Sequence, residues 1–190
     1  MEGARLTVSD LACRRGERLL FRGLSFALAP GDALQVRGAN GTGKSSLLRI
    51  VAGLLRPYAG TVRWDGPTAL LDGNLPLDEH LPLGEALDFW QRLDGMEHEL
   101  GSTLSGLSDV PVRYLSTGQR KRAAVVQSAP RAGGLWLLDE PLNGLDVIAA
   151  ERLVAQVAEH CSGGGLALVA SHQPFGLAGL RTLDILDYAP

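Results

Sequence analysis

Eight residues, Gly38-Ala39-Asn40-Gly41-Thr42-Gly43-Lys44-Ser45, restrict this 190-residue chain more tightly than anything else in it. They satisfy G-x-x-x-x-G-K-[ST], which at this composition and length arises by accident about 0.003 times per chain, so chance is set aside. The flanks agree. Residues 33–37 read as a strand, and 44–55 have amphipathic helical spacing. Glycines between strand and helix permit positive φ and let backbone N–H groups face a polyphosphate. The helix start adds partial positive charge at the same place. Lys44 can then reach β- and γ-phosphates, and the Ser45 hydroxyl can ligate Mg²⁺. Gly38, Asn40, Gly41, Thr42, Gly43, Lys44, Ser45 and Ser46 are the candidate nucleotide contacts.

The remaining sequence fits one α/β domain around that loop. Strands are expected at 6–12, 24–28, 33–37, 61–64, 69–71, 135–139, 166–171 and 183–187. Helices are expected at 44–55, 83–93, 117–129 and 147–160. Residues 74–111 carry Pro76, Pro82 and Pro111 with helical spacing, and read as a helical subdomain inserted in the core. A hydrophobic content of 45% with 21% charged residues excludes a disordered chain. A net charge of -3 offers no broad nucleic-acid surface. No apolar run approaches the roughly 20 residues that cross a bilayer, and the first residues lead into no signal core. A cytoplasmic chain is therefore expected. Cys13 and Cys161 lack metal or disulfide spacing and read as reduced packing residues.

A second run, Leu135-Trp136-Leu137-Leu138-Asp139-Glu140, is an apolar strand ending in two acids. Ligands of open α/β sheets gather at the carboxyl ends of strands. Asp139 is placed there to help hold Mg²⁺, and Glu140 to polarise an attacking water. Leu115-Ser116-Thr117-Gly118-Gln119 then resembles the signature loop of ATP-binding cassette (ABC) ATPases, with Thr117 in place of a smaller residue. Leu145-Asp146 resembles that family's D-loop, and His172 its switch histidine. In family order over nearly the whole chain, these motifs imply a P-loop NTPase fold of ABC type, with a mixed sheet core and a small helical subdomain in a single domain spanning 1–190. The cofactors implied are ATP and Mg²⁺. The resemblance also implies a homodimer on nucleotide binding, in which Ser116, Gly118 and Gln119 contact the γ-phosphate held by the other copy. His172 would hold the γ-phosphate and water alongside Glu140.

Two positions depart from the family. Its adenine-stacking aromatic is missing, and Arg15, or Arg14, is the candidate, because a guanidinium plane can stack on a base. Its Q-loop glutamine is missing too. Asn74 is the nearest amide, and is the candidate for both the lytic water and Mg²⁺. Arg120-Lys121-Arg122 is expected to form a solvated face or to pair with acids across the dimer. Only Lys44 and Lys121 are lysine among 18 basic residues.

A narrower resemblance is to the ATPase subunits of bacterial cytochrome c maturation (Ccm) systems. It rests on Cys-x-Arg-Gly-Glu-Arg-x-Leu-Phe-x-x-Leu-Ser-Phe from Cys13 to Phe26, on Val112-Arg113-Tyr114-Leu115-Ser116, and on Leu135-Trp136 leading to Asp139-Glu140-Pro141 and later Ser171-His172-Gln173. It implies haem export or delivery, with release of haem from its carrier. It also implies integral membrane permease subunits of the Ccm complex as partners, no nucleic acid, and a peripheral place on the cytoplasmic face of the inner membrane. The alternatives are the ATPase subunit of another ABC transporter, a soluble non-transport ABC ATPase, or a nucleotide-binding module that does not hydrolyse. Nothing reads as a haem site, since no CxxCH occurs and His80, His98, His160 and His172 follow no ligand pattern. Docking to the membrane partners is expected at 74–111, where Phe89 and Trp90 either meet the partner or pack within the subdomain.

Overall fold

Parallel and antiparallel pairing are divided between two sheets, and the sequences show why. The computed structural model describes residues 5–74, 76–95, 104–130 and 132–190. Strands β1 (Leu6–Arg15) and β2 (Arg18–Leu28) form a hairpin with Arg15 opposite Arg18. Its turn is Gly16-Glu17, with Gly16 at φ 57. Strand β4 (Ala59–Arg63) pairs with the other side of β1, giving the antiparallel order β2-β1-β4. These strands mix buried and exposed positions, and strict alternation is broken in β1 by register shifts between Val8 and Arg14.

The second sheet is parallel throughout. Its order is β5 (Thr68–Leu71), β6 (Leu135–Asp139), β7 (Leu166–Ala170), β3 (Ala33–Arg37) and β8 (Arg181–Asp184). Strands β6 and β7 are unbroken apolar runs because both faces are covered. Residues i and i+2 share a face. Leu135 and Leu137 thus pack with Leu34, Val36 and Leu168 against Leu47 and Leu48 of α1 (Lys44–Val51) and Phe21 of β2. Trp136 and Leu138 face the other way, toward Ala124 and Val125 of α3 (Thr117–Gln127) and Leu153 and Val157 of α4 (Val147–Ser162). Leu137→Ala at this fully buried position costs about 2–5 kcal/mol.

A third cluster joins Leu83, Ala86 and Leu87 of α2 (Leu83–Asp94) to Leu77, Leu104, Val112, Leu115 and Ala123. Ala123 belongs to this cluster, while its neighbours Ala124 and Val125 belong to the sheet core, so α3 bridges the two. Backbone bonds from Leu83 N to Val110 O and from Val112 N to Leu81 O close the segment on itself. Residues 75 and 96–103 of the expected subdomain, and with them His98, lie outside the described residues, as do residues 1–4. Trp90 packs against this cluster and donates Nε1–H to Pro76 O at 2.6 Å, whereas Phe89 is exposed.

The elements differ from expectation mainly at their ends. Helix α1 ends at Val51, and Gly53 follows at φ 75. The last strand starts two residues and ends three residues earlier than expected, and passes into a 3-10 turn, Ile185–Tyr188. Cys13 and Cys161 are both free and buried, and burial pushes both thiols up from their ordinary pKa. Among the described residues, no helix is long and apolar enough to cross a membrane.

Candidate functional site

The site is assembled at the carboxyl ends of three neighbouring parallel strands. Asp139 of β6 stands in register with Ala170 of β7, and Ala170 with Val36 of β3. The loop after β3, the acids ending β6 and the histidine after β7 therefore leave the sheet together.

The loop after β3 depends on its glycines. Gly38, Gly41 and Gly43 have φ of 147, 80 and 109. A Cβ on Gly38 would meet Ile185 Cγ2 at 2.7 Å, and one on Gly43 would meet the Phe21 ring at 3.1 Å. Gly43 caps α1 without a side-chain hydrogen bond, which leaves the first helical N–H groups to an anion. Thr42 Oγ1 closes the loop by donating to Ala39 O at 2.8 Å.

Lys44 is 5% exposed. Its Nζ donates to Gly38 O at 2.8 Å and Ala39 O at 3.2 Å, and lies 3.4 Å from Glu140 Oε1. The other carboxylate oxygen, Glu140 Oε2, is 2.9 Å from His172 Nδ1. One carboxylate thus stands between the lysine of the first loop and the histidine of the last. The Lys44–Glu140 approach is an ion pair without hydrogen-bond alignment, so Glu140 Oε1 is a buried acceptor with no donor, as is Asp139 Oδ1. Unsatisfied buried acceptors are uncommon and suit a cation, a water or a phosphate-bound metal. Burial pushes the Asp139 carboxyl above the usual range; the Ser45 side chain and Arg49 oppose this, while Glu140 and Asp72 add to it.

Glu140 is held in the left-handed region at φ 44, where a non-glycine residue costs about 1–3 kcal/mol. Bonds at both ends of the residue hold it there. Its N–H donates to Ala170 O at 2.8 Å, and its carbonyl accepts from Asn143 N and Lys121 Nζ, each at 3.3 Å. This departs from the expectation for Arg120-Lys121-Arg122 at Lys121, while Arg120 and Arg122 lie 3.6 Å from Glu79 and 3.9 Å from Asp146. Lys121 turns inward to Glu140, and burial lowers its pKa against the pull of Asp139, Asp72 and Glu140. Arg120 donates to Leu115 O and Arg113 O, and Arg122 to Gly118 O. A run of charge looks solvated in sequence when its partners are backbone carbonyls, near ones for Arg120 and Arg122 and one nineteen residues away for Lys121.

Asn74 is exposed and bound to Asp72, its N–H donating to Oδ1 at 2.9 Å and its Nδ2 to Oδ2 at 3.3 Å. Leu71 pairs with Leu138, so Asp72 follows β5 where Asp139 ends β6. Sequence reading passed over Asp72, and the only signal for it was its place directly after a parallel strand.

A cavity of about 510 Å³ opens over the first loop, within the usual range for ligand sites. Arg15, Arg18 and Leu20 of the hairpin line it, with Asn40, Gly41, Lys44, Ser45, Ser46 and Glu140. Arg14 instead sits over the Tyr58 ring at 4.9 Å, which leaves Arg15 on the cavity. Ser116, Gly118 and Gln119 do not line it. They start α3 with a capping box: Ser116 Oγ accepts from Gln119 N at 3.2 Å, and Gln119 Oε1 accepts from Ser116 N at 2.8 Å. Gly118 abuts the next turn, where an added Cβ would meet Gly144 O at 3.3 Å. Asp146 caps α4, its Oδ1 accepting from Ala149 N at 2.8 Å.

A glycine loop between strand and helix, with two acids ending the next strand but one, defines a P-loop nucleotide-binding domain. Residues 21–143 match the family model described as ABC transporter. The chain is 54% identical to the cytochrome c biogenesis ATP-binding export protein CcmA of Novosphingobium aromaticivorans, with all of both chains covered. It is 52% identical to the protein of the same name from Sphingopyxis alaskensis, over 94% of this chain and 95% of that one. A solved ATP-binding subunit of an ABC transporter superposes with a TM-score of 0.77 at 23% identity, covering 88% of this chain and 79% of that one. The chain belongs to the ABC transporter ATP-binding family, in the branch of the cytochrome c biogenesis ATP-binding export proteins.

Proposed function

We propose that this chain is the ATP-hydrolysing subunit of a membrane ABC complex serving cytochrome c biogenesis by haem export or delivery. The observation that carries its chemistry is the Glu140 carboxylate standing between Lys44 and His172. The Gly38–Ser46 loop binds the phosphates, with Lys44 exchanging its loop carbonyls for β- and γ-oxygens. The buried, donorless Asp139 Oδ1 beside Ser45 fits Mg²⁺, and Ser45 and Asp139 would hold it. When bound, the ion would supply neutralisation of the negative charge on the phosphates. Glu140 Oε1 accepts from the attacking water, and His172 keeps the carboxylate turned toward it. Asn74 acts through Asp72, which it fixes beside Asp139. Arg15 stacks on the base.

Residues 1–190 act as one ABC ATPase domain, with 74–111 and the signature region as its helical subdomain. Ser116, Gly118 and Gln119 lie off their own cavity, which supports a head-to-tail homodimer in which each signature loop meets the partner's nucleotide. ATP closes this pair and hydrolysis reopens it, moving permease subunits of a Ccm-type complex docked at the cytoplasmic face of the inner membrane.

The test is complementation. A strain lacking this chain should lose its c-type cytochromes, wild type should restore them, and Lys44→Ala should not. Lys44→Ala should also weaken ATP binding about 10–100-fold, the range for hydrogen bonds to charged groups. Restoration by Lys44→Ala removes the energetic role, and normal cytochromes in the deletion strain remove the pathway.

A further inference from the structure

Gln35 lies inside β3, the strand that leads into the P-loop, and is 2% exposed. A carboxamide buried in a parallel sheet must bond its own donors and acceptor, at about 1–3 kcal/mol for each group left alone. All of its partners lie in one segment. Nε2 donates to Gln173 O at 2.6 Å and to Ser171 O at 3.3 Å, and Oε1 accepts from Phe175 N at 3.3 Å. The opposite amide orientation would set Oε1 against two carbonyl oxygens, so the network fixes this one.

Ser171 and Gln173 flank His172. The His172 side chain is 43% exposed and gains little hold from packing, while the segment around it is neither helix nor strand and is anchored by buried Ser171 and Phe175. Its other ties are Ser171 N to Val36 O and Gln173 N to Ser171 Oγ. An apolar residue would fill the position in β3 equally well. The carboxamide adds its hold on the carbonyls either side of the histidine and on the Phe175 N–H beyond them.

We infer that Gln35 is a positioning residue for hydrolysis: from inside the sheet it clamps the His172 peptide, and so keeps His172 Nδ1 against Glu140 Oε2. The inference rests on the reading of His172 and Glu140 given above. The P-loop lies beyond the far end of the same strand and takes no bond from the Gln35 side chain, so ATP binding is left to the loop itself.

The test uses the full chain assembled with its membrane partners. Gln35→Met should lower kcat about tenfold and leave KM for ATP within about twofold. In a His172→Ala background the same substitution should have no further effect on kcat. Equal losses in both backgrounds overturn the inference. Ring-nitrogen resonances of His172, followed by NMR in ¹⁵N-histidine-labelled full chain, should move in Gln35→Met. Unmoved resonances overturn it even if turnover falls. Wild-type turnover in His172→Ala sinks the catalytic reading of the histidine instead, and the resonances still decide whether Gln35 holds the loop. If Gln35→Met fails to fold by circular dichroism, Gln35→Asn, one methylene short of the carbonyls, carries the same comparisons.

Discussion

The ends of β3, β6 and β7 and the start of α3 treat their polar groups in opposite ways. At the strand ends, Asp139 Oδ1 and Glu140 Oε1 are buried without donors, and Glu140 is held at φ 44. At the start of α3, Ser116 and Gln119 satisfy each other, and Arg120 and Arg122 bond carbonyls within seven residues. The first region stores strain and unmet bonding capacity, as reaction centres do. The second is complete in itself and presents an exposed helix start. One fold thus keeps the proposed reaction centre and the proposed dimer contact on separate supports.

Glu140→Gln strikes hardest at the first region. It should lower turnover about 10²–10⁴-fold, the range for a general base, while ATP stays bound and the dimer stays closed. A single-turnover assay with size-exclusion analysis checks this, and normal turnover would end the contrast between the regions.

Lys121→Met tests the connection between them. Removing the ammonium that holds the Glu140 carbonyl should lower kcat about tenfold with little change in KM. Stability should move the other way. Burial lowers the Lys121 pKa, so the fold bears a charged group it disfavours at neutral pH, a burden relieved as pH rises toward the ordinary 10.5. Lys121→Met should therefore melt higher than wild type at pH 7, with the gap narrowing toward pH 10.5. A lower melting point at pH 7 would show that the bond to Glu140 outweighs the burial.

Ser116→Ala acts on the second region alone. It should cost about 1 kcal/mol in urea unfolding, the usual value of an N-cap, and weaken ATP-driven dimerisation without altering ATP binding to the monomer. Arg15→Ala should have the smallest effect, a loss of about threefold in ATP affinity, in line with one exposed stacking contact. Inorganic triphosphate, measured alongside by calorimetry, should lose less; an equal loss would make Arg15 a phosphate contact.

The strands bearing the site were legible because they are continuous apolar runs, and β3 and β6 begin and end at 33–37 and 135–139 as their sequences predict. The start of β2 was hidden by Arg18 and Arg22, which an edge strand tolerates on its exposed face. Motif spacing named Lys44, the strand end named Glu140 and the family resemblance named His172, and the structure sets Lys44 and His172 on either side of the Glu140 carboxylate. What spacing could not show were partnerships made by register or by backbone carbonyls. Asp72 comes beside the end of β6 only through parallel pairing, Lys121 finds a carbonyl nineteen residues away, and Gln35 bonds a loop 136–140 residues on. Such partners carry no local pattern, because any side chain of the right length can reach a main-chain oxygen.

Both lysines of the chain end within 3.4 Å of Glu140, one at its carboxylate and one at its carbonyl. An amine-directed acylating reagent therefore finds only two lysine targets in this sequence, and both lie beside Glu140 in the proposed catalytic centre. Extent of acylation read by mass spectrometry becomes a reporter of that centre's occupancy, while lysine-to-lysine cross-linking is unsuited to mapping this subunit's surface.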